Sequence, residues 1–272
     1  MSEPPKLIDR AALRLHRARA NTQDLFLHKA ALDEVQDRLA MVKKTFTDIA
    51  IVTPFPQIWE QAFPKAVIVA DDDTLALNEG AFDLVIHAMC LHWANDPVGQ
   101  LIQCRRALRP DGLCLAVSLG GQTLNELRAA LSQAEIDQTG GLSPRILPMP
   151  EIRDLGALLQ RAGFALPVAD NAVLNAEYRD IFHLMQDLRA MGETNALTDR
   201  LRHPTRRSVF AQAAALYQSH YATSSGKTRA SFELISLTGW APSESQPKPL
   251  RPGSAQARLA DALGTHETKL PD

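Results

Sequence analysis

The apolar residues Leu25, Leu32, Val35, Leu39 and Val42 recur at spacings of seven, three, four and three. That is one stripe on a 3.6-residue period, so it predicts an amphipathic helix, with Asn21 and Thr22 in place to cap it. The period then changes. Asp48–Val52, Ala66–Ala70, Phe82–Ile86 and Leu113–Leu119 are short apolar runs rich in β-branched residues, and runs that are hydrophobic on both faces suit a buried parallel sheet. Between the third and fourth runs a helix is marked by Asp96 as N-cap, Pro97 at the first helical position, Val98, Leu101, Ile102 and Leu108 facing inward, and Pro110-Asp111-Gly112 as its stop. Strand, helix and strand predict a crossover connection and a layered α/β fold.

Further along, Gly120-Gly121 turns the chain into a helix in which Thr123 and Glu126 have capping-box spacing and Leu124, Leu127 and Leu131 form the stripe. A second helix is expected from Pro150 to Gly163, then an extended stretch over about 165–176. Two more helical patterns follow, one through Ile181, Leu184, Met185 and Leu188 with Gly192 as its stop, the other from Pro204 to Tyr221, and a last strand covers Ser231 to Trp240. The segment from Ala241 holds five of the 17 prolines in 32 residues and reads as an extended arm without its own core. The expected organisation is N-terminal helices over 1–45, an α/β domain over 46–240 with a helical insertion over about 177–222, and the arm over 241–272. One difficulty is evident: a parallel crossover needs about a dozen residues. Val52 to Ala66 has room for one, and Asp71 to Ala81 has none, so the first half of the sheet must be short.

Charge and composition narrow the function. The 272 residues carry 29 Lys plus Arg against 31 Asp plus Glu, a net charge of −2, which offers no excess to neutralise phosphates. No stretch approaches the roughly 18 apolar residues of a membrane span. A nucleic-acid scaffold and an integral membrane segment are both excluded on these grounds. Cys90, Cys104 and Cys114 show no Cys-x-x-Cys spacing, and no histidines have metal-ligand spacing, so neither a disulfide framework nor a metal site is expected and a reducing, cytoplasmic compartment fits. The Arg10–Arg19 segment has no acid after Asp9; it reads as a solvated helix face, with a weak likeness to a transit peptide.

In open parallel sheets ligands sit at the carboxyl ends of the strands. After the first strand stands Thr53-Pro54-Phe55-Pro56. A nucleoside ligand there needs backbone N–H groups unobstructed by Cβ, and prolines remove such donors, so a rigid connector with Phe55 and Trp59 packed inward is the expectation. After the second strand Asp71, Asp72 and Asp73 can accept from ligand hydroxyls or an amino group, or cap a turn. After the third comes the run His87 to Trp93, where His92 is the best-placed titratable group and the candidate base or orienter, with Trp93 as pocket wall or partner anchor; packing roles are the alternative for both. Cys90 has no basic neighbour besides these histidines to make it a thiolate. Gly120, Gly121 and the segment Gly140–Arg145 form loops above the same edge, as a lid at a substrate or partner site or as plain connectors.

Phe82-Asp83-Leu84-Val85-Ile86, Leu91-His92-Trp93-Ala94-Asn95-Asp96 and Leu108-Arg109-Pro110-Asp111-Gly112 resemble the second half of a class I S-adenosylmethionine-dependent methyltransferase. More narrowly, the run from Gly120 to Arg128, Asp154-Leu155-Gly156, Arg161-Ala162-Gly163-Phe164, Met191-Gly192-Glu193-Thr194-Asn195 and the run from Gly239 to Gln246 resemble the bacterial relatives of the mitochondrial complex I assembly factor numbered five, a family akin to the malonyl-carrier-protein methyltransferase of biotin synthesis. The resemblance implies a doubly wound Rossmann-like sheet, here with a shortened first half, helices inserted as a lid, and an antiparallel last strand. It implies S-adenosylmethionine as cofactor, with Asp71 and Asp72 as the adenine-side acidic pair, and a protein substrate, a complex I subunit. The family's Asp-x-Gly-x-Gly loop is replaced here by Ile51-Val52-Thr53-Pro54-Phe55-Pro56. Three functions are therefore open: an enzyme of this family acting on a protein, a non-catalytic assembly factor that kept the partner surface, and a carrier-protein or small-molecule methyltransferase.

Overall fold

Ile49–Val52 is apolar on both sides because both sides are covered: Ile51 faces one core and Ala50 and Val52 face another. The same alternation continues in the neighbouring strands, with Leu84, Ile86, Leu115 and Val117 on the first face and Val85, Cys114 and Ala116 on the second. The computed structural model describes residues 6–247 and 264–265. The strands β1 (Ile49–Val52), β2 (Val67–Val69), β3 (Phe82–Ala88), β4 (Leu108–Leu119), β5 (Ala165–Tyr178) and β6 (Thr228–Trp240) form one sheet in the order β2-β1-β3-β4-β6-β5. The first four are parallel; β6 runs antiparallel to both β4 and β5. This is the expected doubly wound α/β sheet with an antiparallel last strand. Its first half is short because residues 70–81 join β2 to β3 without a helix.

Helices α2 (Phe26–Met41), α3 (Pro56–Ala62), α5 (Asn125–Thr139), α7 (Ile181–Ala190) and α8 (Arg207–Tyr221) contribute to the first core, while α4 (Pro97–Ala107) and α6 (Ile152–Arg161) cover the second face. Asp96 caps α4, its carboxylate accepting from the Gly99 N–H at 2.8 Å, and Pro97 opens it. Leu108, expected as the last inward residue of that helix, is instead the first residue of β4, opposite Phe82. The inserted helices α7 and α8 lie between β5 and β6 in the chain. The described residues divide into one compact unit that ends at Pro242 and a second that starts at Ser243, where the Ser243 N–H donates to Gln246 Oε1. The arm expected from Ala241 lies, beyond Pro247, almost wholly outside the described residues.

Two caps differ from expectation. Asn21 caps the 3-10 turn Thr22–Asp24 and not the long helix, which begins at Phe26. The Thr123–Glu126 box does not form: Thr123 Oγ1 accepts from the Glu233 N–H at 3.0 Å, Glu126 accepts from Ser231 Oγ at 2.6 Å, and α5 starts at Asn125. Both side chains are buried at β6, where an unpaired N–H or hydroxyl costs more than an uncapped helix end.

Candidate functional site

At the end of β1 every backbone donor is spent or missing. The Thr53 N–H donates to Val69 O at 3.0 Å, the Phe55 N–H donates to Thr53 Oγ1 at 3.3 Å, and Pro54 and Pro56 have none. Pro56 opens α3, and Phe55 and Trp59 pack inward as expected. His28 of α2 packs against this turn, at right angles to the Phe55 ring with centroids 4.9 Å apart. Burial holds the His28 imidazole down at about 4, so it is neutral. A nucleoside or methionine moiety finds no cradle of N–H groups at this strand end.

At the end of β2, α1 (Arg10–Ala18) lies across the acidic run. Arg10, Arg14 and Arg17 are spaced four and three apart, one face of a helix, and that face meets the aspartates. Arg17 Nη1 donates to both Asp71 oxygens at 2.9 and 2.8 Å, and Arg10 Nη1 donates to Asp71 Oδ2 at 3.2 Å. Arg10 Nη2 also donates to the Asp71 carbonyl. Burial opposes ionisation of Asp71, but Arg17 and Arg10 outweigh it and hold its carboxyl below the usual range. Arg14 pairs with Asp72 Oδ1 at 2.9 Å in solvent. Asp73 keeps its place through its carbonyl, which accepts from Gln103 Nε2 at 3.0 Å. The reading of this helix as a solvated face is thus overturned for Arg10 and Arg17, whose side chains are 13% and 8% exposed. Both acids expected at the adenine side of a cofactor are engaged by guanidinium groups, and with the donor-poor turn at β1 the residues at these two strand ends do not fit S-adenosylmethionine.

At the end of β3 the chain turns through Met89 into a 3-10 turn, Leu91–Trp93. His92 Nδ1 lies 3.2 Å from Ser118 Oγ and its Nε2 lies 3.4 Å from Glu193 Oε2, which also accepts from the Trp93 indole at 2.7 Å. Glu193 is placed by the end of α7: Gly192, at φ +79, permits the bonds Gly192 N–H to Arg189 O and Glu193 N–H to Leu188 O that close the helix. Burial would raise the Glu193 carboxyl, but the His92 hydrogen bond, the charges of His92 and Arg17 and the Trp93 indole lower it below its ordinary value. It is an anion whose side chain is 7% exposed. Next to this group, burial pushes the Cys90 thiol well up, so it stays protonated, and burial lowers His87.

Glu193 and Trp93 line a cavity of about 260 Å³ between α5, α7 and α8. Leu127, Leu131, Leu188, Phe210 and Phe232 make its walls, and Arg145 and Arg189 lie among the lining residues. His92 is not among them; it touches the cavity through Glu193. Gly120 and Gly121 are buried beside the β6 end, where a Cβ would come within 2.4 Å of Ile235 Cδ1 and 2.6 Å of Glu151 Oε1. The buried Ile235 side chain favours glycine at 120, whereas at 121 the exposed Glu151 side chain can swing aside. The loop Gly140–Arg145 is pinned at its end: Arg145 Nε and Nη2 donate to Glu135 at 2.9 and 2.7 Å, and Ser143 Oγ donates to it at 2.6 Å.

That pin sets a pH dependence. Despite some burial, the hydrogen bonds from Arg145 and Ser143 lower the Glu135 carboxyl to about 2. A depressed folded-state pKa contributes stability that is complete above the unfolded value, about 4.3, and is lost as pH falls through the folded one. The melting temperature of Glu135→Gln should therefore lie below wild type at pH 7 and converge with it between about pH 4 and 2; a constant gap over that window contradicts the assignment.

Comparison with known proteins adds a lineage. Residues 32–116 match the Methyltransferase domain family. Over 198 residues the chain is 37% identical to "Arginine-hydroxylase NDUFAF5, mitochondrial" of Danio rerio, covering 73% of this chain and 61% of that protein. The Homo sapiens protein of the same name is 37% identical over 214 residues, 78% of this chain and 61% of its own. "Malonyl-[acyl-carrier protein] O-methyltransferase" of Xylella fastidiosa is 37% identical over 179 residues, 66% and 58% respectively. The chain thus spans about three fifths of the length of these relatives.

Proposed function

Given that this chain has the class I methyltransferase fold and is a homologue of both the NDUFAF5 arginine-hydroxylases and the malonyl-[acyl-carrier protein] O-methyltransferases, we propose that it is a cytoplasmic binding factor for a protein client in respiratory complex I assembly, working without S-adenosylmethionine. The observation that carries the reading is the occupied cofactor end: no free N–H from Thr53 to Pro56, and Asp71 held by two guanidinium groups. The reading assigns to a partner the cavity, mostly apolar, with the Glu193 carboxylate on its wall and Arg145, one of its two lining arginines, already paired with Glu135. The cavity suits an extended client segment that inserts apolar side chains and one basic side chain, an arginine in keeping with the name the relatives carry. In this reading His92 and Trp93 position the Glu193 carboxylate, and Trp93 also walls the cavity. No helix among the described residues is long and apolar enough to cross a membrane.

Calorimetric titration with S-adenosylmethionine and S-adenosylhomocysteine tests the cofactor half of the reading. A ligand at about 100 times its dissociation constant stabilises the native state by roughly 2.7 kcal/mol. Neither compound should give saturable heat or raise the melting temperature at millimolar concentration. A micromolar dissociation constant for either overturns the proposal.

A further inference from the structure

Helix α1 touches both the acid at the end of β2 and the wall of the cavity. On one side Arg10 and Arg17 clamp Asp71. On the other, Ile8 bridges Leu197, the Asp9 N–H donates to Ala196 O at 2.8 Å, the Thr198 N–H donates to Leu7 O at 2.9 Å, and Asp9 pairs with Arg200 at 3.0 Å. Beyond its C-terminus the Asn21 N–H donates to Ala190 O at 2.7 Å. The segment so gripped, 190–198, contains Glu193, Thr194 and Asn195, which line the cavity from within. Ile8 and Leu13 share a small core with Trp93, Leu147, Ala196 and Leu197, separate from the two main cores.

We propose that α1 is a latch: its arginine pairs with Asp71 hold the 192–197 wall of the cavity in place, and their release lets α1 and that wall move out together and widen the cavity for the client. This rests on the cavity being the functional site. Two features make the latch reversible. A helix of nine residues is not stable alone and holds its shape only while docked. The clamp is also incompletely satisfied, since Arg10 Nε and both Nε and Nη2 of Arg17 are buried without a partner in the described structure. Undocking returns those donors to water, which offsets part of the lost pairing.

The test uses the full chain with Asp71→Asn, and Arg17→Lys as a milder second variant that keeps the charge but shortens the reach of the one nitrogen, Nη1, that donates to both Asp71 oxygens. Amide hydrogen exchange reads the opening, and the fluorescent apolar dye 8-anilinonaphthalene-1-sulfonate reads access to the cavity. Asp71→Asn should speed exchange in 10–18 and 192–198 together by about tenfold or more, leave β3 and β4 unchanged, and raise dye affinity several-fold, with Arg17→Lys between it and wild type. Adding Leu127→Trp should abolish the gain in dye binding. Faster exchange in α1 with no change in 192–198 or in dye binding overturns the latch, as does unchanged exchange throughout; where Asp71→Asn does not fold, Arg17→Lys alone decides by the same readouts. If the latch opens as described but complex I assembly proves indifferent to the cavity, the functional reading fails and the latch stands.

Discussion

Glu193→Ala should destabilise the protein by about 2–4 kcal/mol, because the buried Trp93 indole N–H and His92 imidazole lose their common acceptor. For a domain of this size that is a drop in melting temperature of about 5–15 °C. Glu193→Gln separates structure from function. Its amide oxygen still accepts from the indole, so the fold should stay within about 1.5 kcal/mol of wild type, while the anion that faces the cavity is gone. Calorimetry against a client peptide carrying an arginine should then show that Glu193→Gln loses at least tenfold in affinity, about 1.4 kcal/mol, relative to wild type. Equal affinity would remove the basic side chain from the account.

A second large effect is expected at Asp71. With α1 docked, removal of its carboxylate leaves two buried guanidinium groups uncompensated, at a cost of about 3–5 kcal/mol. Arg14→Ala, at the exposed pair with Asp72, should cost less than about 1 kcal/mol. Denaturant titrations of Asp71→Ala and Arg14→Ala measure the contrast, and the combination Arg10→Met, Arg17→Met and Asp71→Leu should recover most of the loss, because no charge then remains buried. If Asp71→Ala is as mild as Arg14→Ala, the clamp contributes nothing to the docking of α1.

The contrast also explains what could be read from the chain alone. The strands were legible because both faces of the sheet are buried, so Ile49–Val52 and Phe82–Ala88 are apolar nearly throughout. The Asp96-Pro97 helix start was legible because cap and first turn are local. Thr123 and Glu126 misled because their partners, Glu233 and Ser231, lie more than 100 residues away, and no local rule weighs a cap against a distant buried donor. The arginines at 10, 14 and 17 and the aspartates at 71 and 72 were each visible as runs of charge; their pairing was not, since it depends on where α1 docks. Glu193 was passed over for the same reason. Its local signs were the Met191–Asn195 motif and the helix stop at Gly192, which fix where the chain leaves α7 but not that Trp93 and His92 wait there.

The shortage of donors at β1 was foreseen from Pro54 and Pro56, and the structure adds what prolines alone do not say: the remaining N–H groups of that turn are also spent, and an arginine helix lies on the acid beside it. The cavity is the part of the fold to which the proposed function assigns the partner. The direct measurement is complementation of a strain lacking this gene, scored as complex I activity in its membranes, with Leu127→Trp to fill the cavity and Asp72→Ala at the exposed acid, each first shown to be folded and equally abundant. The account predicts wild-type activity for Asp72→Ala and loss of most activity for Leu127→Trp; full activity with the cavity filled would contradict it.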